Sequence, residues 1–454
     1  MADEKTDVRE LDYRRLFPWI ELFRSFRIAL DPKKLVLAAL GLCAMSVGWY
    51  AISAVLEPRV GRDAQVFQEL PWEQGTGYKT LSATADEEGV FGMAHRIVSE
   101  PHKLFEEVAT NWPVVLRPAQ TLTRPFAWMF DVEAGWSKLL MVVLCALWAA
   151  AVWGFFGGAI TRIAAVQVAR DERVGLMAAC KFAVSKFLSF FAAPLFPLVG
   201  VAFFTVFCMV GGWVALAWYP GAFLAGALWG LPLVAGFVMV IIALGLAVGW
   251  PLMYATISAE GSDSFDALSR SYSYVYQRPW HYLFYALVAA VYGSLVIFFV
   301  VLFTQFVAYF SQWSVSMGAG KEAVRDLFAA APKGDDWWAA FSDSKPYSEV
   351  PGPRKLGAVL TAAWLQILFM LMVGFIYSYF WSATTVIYFL LRKNVDATDM
   401  DEVYLEEEEE EQPLGGPGGE ESKLPIVQGT EAGAANPSGS HEAGGEGGGP
   451  SGTV

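Results

Sequence analysis

The chain has 454 residues, of which 55% are hydrophobic, 15% aromatic and only 17% charged. Soluble domains carry roughly 45–50% apolar and about 25% charged residues, whereas 187–259, 280–320 and 356–391 here contain no Asp, Glu, Lys or Arg; this excludes an ordinary soluble enzyme and predicts an all-α, polytopic membrane bundle. The net charge of −13 sits almost wholly in residues 392–454, where three Lys/Arg against fifteen Asp/Glu leave −12, so the acidity describes an appendage and not the body.

Residues 1–34 are charged in both signs and lack the apolar core of a signal peptide. Within them Leu16, Trp19, Ile20, Leu22, Phe23, Phe26 and Ile28 alternate with Glu21, Arg24 and Arg27, the pattern of an amphipathic helix on a membrane surface. Asp31-Pro32 breaks it, and an uncharged first span follows over 35–56.

The loop 57–138 contains His95, Glu100, His102, Glu106 and Glu107. His102 and Glu106 share a helix face, but no H-E-x-x-H occurs and Pro101 separates them from His95, so a solvated face is expected rather than a metal pair. Val90, Phe91, Ile97, Val98, Leu104, Phe105 and Val108 predict a segment packed along the membrane surface.

The body 139–391 holds the remaining spans. The second, near 139–160, carries Gly154, Gly157 and Gly158, a small-residue face for close helix contact. The run 187–259 reads as two spans, near 190–213 and 231–257, with a short apolar connector from Tyr219-Pro220-Gly221 to Gly230 that is open to a re-entrant reading. The fifth span starts at Tyr282 and extends up to Gln312; the sixth covers 356–391, roughly 54 Å of helix against a core of about 30 Å, so one end projects. Gly226-xxx-Gly230 and Gly245-xxx-Gly249 repeat the close-packing pattern. Five and seven spans are the alternatives to six.

Lys and Arg cluster in 1–34, in the connector 161–187 and at Arg392-Lys393. Six spans put these clusters on one side, predicted cytoplasmic with both termini, and the loops 57–138 and 313–355 outside. An internal repeat agrees. Arg170-Asp-Glu-Arg173 followed by Leu176, Ala178, Lys181 and Phe187 matches Glu260-Gly-Ser-Asp263 followed by Phe265, Ala267, Arg270 and Tyr276.

The connector 258–281 is the most informative stretch. Ser262 or Asp263 caps a predicted helix whose apolar face is Phe265, Leu268, Tyr272 and Val275, with Asp266 and Arg270 paired at i,i+4. Read plainly it is an interfacial helix joining two spans. Its candidate site is a lipid headgroup or partner contact by Arg270, Tyr272, Tyr274 and Arg278. The runs EGSDSFDALSRSYSYVYQRPW, FFGGAITRIAAVQVARDE, APLFP and IYFLLRKNVDATDMDEVY resemble a family of large bacterial multi-pass proteins of unassigned activity. More loosely, the alternation of spans and amphipathic connectors resembles the membrane domain fused to glycerophosphodiester phosphodiesterases. The first resemblance covers roughly 140–404 and implies a fold but no activity, in a bacterial inner membrane; the second carries no catalytic residue.

Gly318-Ala-Gly320-Lys321 lacks the upstream glycine and following Ser/Thr of a phosphate-binding loop, and Asp335-Asp336-Trp337-Trp338 reads as the cap of an interfacial helix. Cys43, Cys145 and Cys208 lie in apolar runs and Cys180 in a connector, with no C-x-x-C, so they read as structural thiols. The deepest polar groups are Gln305, Gln366, Tyr377, Ser378, Tyr379, Ser382, Thr384 and Thr385, expected to bond neighbouring helices rather than line a path. The tail from Glu406, six Glu and then Gly-, Pro- and Ser-rich sequence, is expected to be disordered. With no cofactor or metal motif, the expected function is a non-enzymatic membrane scaffold whose partners are membrane lipids, a protein recruited by the acidic tail and a second copy of the chain, not nucleic acid. The alternative is a transporter or lipid-handling channel without intramembrane charge.

Overall fold

The computed structural model describes residues 17–69, 98–130, 135–216, 221–331 and 346–405, and every element among them is helical. Residues 1–405 form one unit and 406–454 a second. The tail falls outside the described residues, as do residues 1–16, Val90, Phe91, His95, Ile97 and Asp335–Trp338.

A 3-10 segment (Pro18–Phe23) leads into α1 (Arg24–Ala29) and then α2 (Pro32–Val60). Asp31 starts α2 by accepting the Lys33 N–H at 3.0 Å, and Pro32 occupies the first position, where no amide donor is needed. A second 3-10 segment (Gly61–Phe67) folds back so that Phe67 stands edge-on to Trp49 at 5.3 Å. There follow α3 (Pro101–Asn111), α4 (Arg117–Trp128), α5 (Trp136–Arg170), α6 (Leu176–Ser185), α7 (Phe187–Ala192), α8 (Leu195–Leu216) and α9 (Gly221–Ala227). The chain continues through α10 (Gly230–Glu260), α11 (Ser264–Gln277), α12 (Pro279–Ala319), α13 (Lys321–Leu327) and α14 (Gly352–Asp396).

Six helical stretches are long and apolar enough to cross a membrane: α2 with its 3-10 extension, α5, α7 with α8, α10, α12 and α14. The protein is therefore an all-α bundle with six candidate spans. α2, α5 and α14 outrun their uncharged stretches, because charged side chains near their ends find partners on neighbouring elements. Arg162 is the clearest case: its guanidinium lies over the Phe182 ring at 4.2 Å and donates to the Ser258 carbonyl at 2.8 Å, so α5 runs on to Arg170. The connectors expected over 161–187 and 258–281 thus shrink to 171–175 and 261–263, followed at once by α6 and α11. The third span breaks between Ala192 and Leu195, where Pro194 has no N–H to continue the ladder.

The two repeat-related connectors do lie at one end of the bundle. The Lys186 ammonium donates to the Gly261 carbonyl, and the Thr161 and Ser258 hydroxyls meet at 2.6 Å. That end also carries residues 18–33, Arg170, Arg173 and Arg392, and is called the basic end below. The small-residue face of α5 works as expected: a Cβ at Gly157 would stand 3.0 Å from the Trp381 ring, and one at Gly158 only 2.7 Å from Phe190. Gly226 and Gly230 differ: among the described residues nothing comes within 4 Å of an added Cβ, so none of them packs closely there.

The N-terminal amphipathic segment packs onto the bundle. Its apolar residues Leu22, Ile28 and Ala29 are buried against the bundle. Ser378 of α14 donates to the Ala29 carbonyl at 2.8 Å, and Tyr292 of α12 to the Phe23 carbonyl at 3.2 Å.

Candidate functional site

The sequence made 57–138 a loop whose segment from Val90 to Val108 packs along the membrane surface. Residues 98–130 of that loop pack into the bundle. Ser294 donates to the Val108 carbonyl at 3.3 Å, and Ser294 lies roughly 22 Å along α12 from Pro279. Further on, Arg117, Thr121 and Arg124 form one stripe of α4 and line a narrow cleft with Met45, Trp49 and Tyr377. Tyr377 lies roughly 28 Å from the end of α14 and stacks on Trp153 at 5.2 Å. The segment thereby brings Arg117 and Arg124 against residues of α2 and α14. His102, Glu106, Val98 and Phe105 remain exposed, and among the described residues no three His, Cys, Asp or Glu converge on a metal position.

The other face of the inserted segment walls two apolar cavities. The first, about 330 Å³, lies between α4, α5, α8 and α10 and is lined by Leu122, Phe126, Trp153, Leu198 and Trp250 among others. The second, about 510 Å³, lies between residues 115–119, α10, α11, α12 and α14, with Leu116, Pro251, Ala286, Phe380 and Ile387 in its wall. Ala247 and Trp250 line both, so the cavities adjoin at Trp250. Aromatic contacts hold that ring: Trp381 lies edge-on at 5.5 Å and Phe380 tilted at 5.7 Å.

The chemistry of these walls is uniform. Among the described residues no charged side chain lines either cavity. Tyrosines on the wall of the second have their hydroxyls engaged elsewhere: Tyr276 donates to the Ile241 carbonyl, Tyr282 to Val248 at 2.8 Å and Tyr379 to Ala289 at 2.7 Å. A space of several hundred Å³ with such walls suits hydrocarbon and rejects a polar solute, whose groups would lose their water without replacement. Beside the first cavity the outer parts of α8 and α10 expose Phe203, Trp213, Leu233, Val234 and Phe237, as helices facing lipid do.

The four residues singled out in the connector go to different tasks. Arg270 reaches Glu260 at 3.0 Å, Asp266 at 3.1 Å and Asp396 at 4.0 Å. Tyr274 donates to Asp396; burial first, and that hydrogen bond second, hold its phenol above the ordinary range. Tyr272 donates to the Ile242 carbonyl at 2.7 Å, its ring packed where a Gly245 Cβ would clash at 2.4 Å. These three therefore knit α10, α11 and α14 together, and only Arg278 remains exposed to solvent. Asp263, not Ser262, caps α11, accepting the N–H groups of Phe265 and Asp266 at 3.1 and 2.9 Å. Sequence reasoning missed Arg392, almost fully buried, which donates to the Asp399 and Glu402 carbonyls at 3.1 and 2.7 Å. It also missed the Tyr404 N–H, which donates to Ala259 at 2.7 Å and completes the anchoring of 397–405 to the basic end.

The fold and cavities define the class: a helical membrane protein with six candidate spans and an apolar interior. Compared with known protein families, characterised proteins and solved structures, the chain matches none.

Proposed function

We propose that this is a lipid-handling integral membrane protein whose paired cavities hold the acyl chains of a membrane lipid. The observation that carries the reading is the meeting of two charge-free cavities at Trp250, with the tyrosine hydroxyls of the second engaged by backbone. The inserted segment 98–130 is their common wall, and the lipid-facing hairpin of α8 and α10 is the side from which a chain enters. The basic end faces the cytoplasm in this reading, with both termini there, in a bacterial inner membrane. The test is photocrosslinking with a phospholipid that carries a photoreactive group near the end of one acyl chain. Adducts on Phe126, Leu246 or Trp250 support the proposal; adducts confined to outward residues such as Phe203 and Phe237 overturn it.

A docking role is the second reading, and residues 397–405 favour it. Arg392 and Tyr404 fix this segment at the basic end, from which the acidic sequence continues toward a basic partner. Loss of a co-purifying basic protein on truncation after Leu405, with cavity crosslinking intact, would establish that role beside the first.

A further inference from the structure

We infer that the basic end carries a binding site for the headgroup of an anionic phospholipid, formed by Arg27, Lys33, Arg170 and Arg173 and distinct from both the apolar cavities and the α11 connector. Two clefts meet at the ion pair of Arg27 and Asp171, which is 2.8 Å long. One, about 630 Å³, is lined by Arg24, Arg27 and Arg170; the other, about 770 Å³, by Arg27, Lys33 and Arg173. Two parts of the chain distant in sequence thus converge: α1 with the start of α2, and the end of α5 with Arg173 just beyond it.

The charges do not cancel. The clefts present five Lys/Arg and two carboxylates, Asp31 and Asp171. Both carboxylates already have structural tasks. Asp31 caps α2 and accepts from the Gln167 amide at 2.7 Å. Asp171, in a left-handed backbone conformation (φ 58°) at the end of α5, engages Arg24 at 3.4 Å and Arg27 at 2.8 Å. Lys33 donates once, to the Val174 carbonyl at 2.8 Å, and its ammonium has two donors left. Arg170 and Arg173 are exposed and have no ion-pair partner among the described residues. Forked guanidinium donors from several directions are what phosphate oxygens require.

The apolar surroundings select a lipid over a free anion. On α6, which starts three residues after Arg173, Met177 and Val184 are 81% and 64% exposed and share a face with Lys181. Phe23 lines the first cleft and is 41% exposed. Basic side chains beside an exposed apolar helix face form the pattern that seats a helix in a headgroup layer. A phosphodiester held between the arginines would leave its acyl chains along that face.

The experiment is native mass spectrometry of the full-length protein in lipid nanodiscs, with phosphatidylglycerol against phosphatidylcholine of identical chains. Wild type is expected to retain the anionic lipid preferentially, and Arg170→Ala/Arg173→Ala to lower that retention on the order of tenfold or more at low salt, less so at high salt. Arg170→Lys/Arg173→Lys is expected to recover most of it. Arg278→Ala, an exposed arginine on another element, should change nothing. Both substituted arginines are exposed and unpaired, so an unchanged melting temperature verifies the fold. Equal retention by wild type and the double alanine variant at low salt overturns the site, and so does displacement of the lipid by millimolar inorganic phosphate, which would make it a general anion site. Cavity crosslinking is a separate readout, so either reading survives the failure of the other.

Discussion

Arg270 Nη1 lies 3.0 Å from Glu260 Oε2, and the two residues bridge the loop that turns α10 into α11. The Glu260 side chain is only 15% exposed and also accepts from the Tyr388 hydroxyl. Arg270 is thus a tie between helices, where the sequence offered it as a headgroup contact. Arg270→Ala is expected to destabilise the protein by about 1–2 kcal/mol, more than an exposed i,i+4 pair is worth, because it leaves a largely buried carboxylate short of a partner. A thermal melt in detergent measures it, and a double-mutant cycle with Glu260→Gln separates the pair from the rest. Retained anionic lipid should not change.

Local features of this region were legible and remote ones were not. The pairing of Asp266 with Arg270 and the cap at Asp263 follow from spacing along one helix. Glu260 and Asp396 join the same arginine from a different turn and a different span, and no periodicity announces such a meeting. The spans themselves were readable because an uncharged run of twenty residues has few other fates. Segment 98–130 was not, because an amphipathic helix with a charged stripe reads the same whether its apolar face meets lipid or lines a protein cavity. The one usable hint was that Arg117, Thr121 and Arg124 share a face opposite Leu122 and Phe126 in a loop rich in large apolar residues.

Glycine positions give a paired prediction. A valine at Gly245 would strike the Tyr272 ring, already 2.4 Å from an added Cβ, and push its hydroxyl off Ile242. Gly245→Val is expected to cost about 1–3 kcal/mol. Gly226→Val, with open space around it, should leave the melting temperature unchanged. Equal effects at both sites would contradict the packing described for α10 and α11.

Alkaline pH should loosen the α10–α11 contact. Burial is the largest cause that raises the phenols of Tyr272, Tyr274 and Tyr276 above their ordinary value near 10. The folded state therefore holds these protons more tightly than the unfolded chain. The resulting stability is complete below about pH 10 and is lost as pH climbs through the raised values. Melts between pH 8 and 11 are expected to show the fall, and Tyr272→Phe/Tyr276→Phe to start lower but fall less steeply.

Gln305 and Gln366 bear on the choice between a polar path and simple packing. Both amide atoms of Gln305, and the Nε2 of Gln366, are buried without a hydrogen-bond partner. An unsatisfied buried amide is a liability of roughly 1–3 kcal/mol that leucine does not carry. Gln305→Leu and Gln366→Leu are each expected to hold or raise the melting temperature. If they also leave lipid crosslinking intact, the amides have no part in handling the lipid; loss of crosslinking with undiminished stability would assign them one.

Ala247 offers the sharpest test of the cavities, because it lines both while lying outside the packed core. Enlarging it to phenylalanine places a ring where the two spaces adjoin and removes volume from each without deleting a contact. Overpacking of a well-filled core costs about 1–3 kcal/mol, whereas growth into empty space costs little and adds dispersion contacts. Ala247→Phe is therefore expected to keep the unfolding free energy within about 1 kcal/mol of wild type and to abolish acyl-chain crosslinking at Trp250 and Phe126. Trp250→Ala works in the opposite sense. It merges the cavities and removes the ring packed against Trp381 and Phe380, so a loss of about 3–5 kcal/mol is expected. A hydrocarbon ligand should recover part of that loss by filling the merged space: the variant should melt higher with long-chain lipid than in short-chain detergent, and by more than wild type does. A stable Ala247→Phe protein that still crosslinks at Trp250 would show that the chain reaches this ring without occupying the cavities, and the lipid-handling proposal would fall with it.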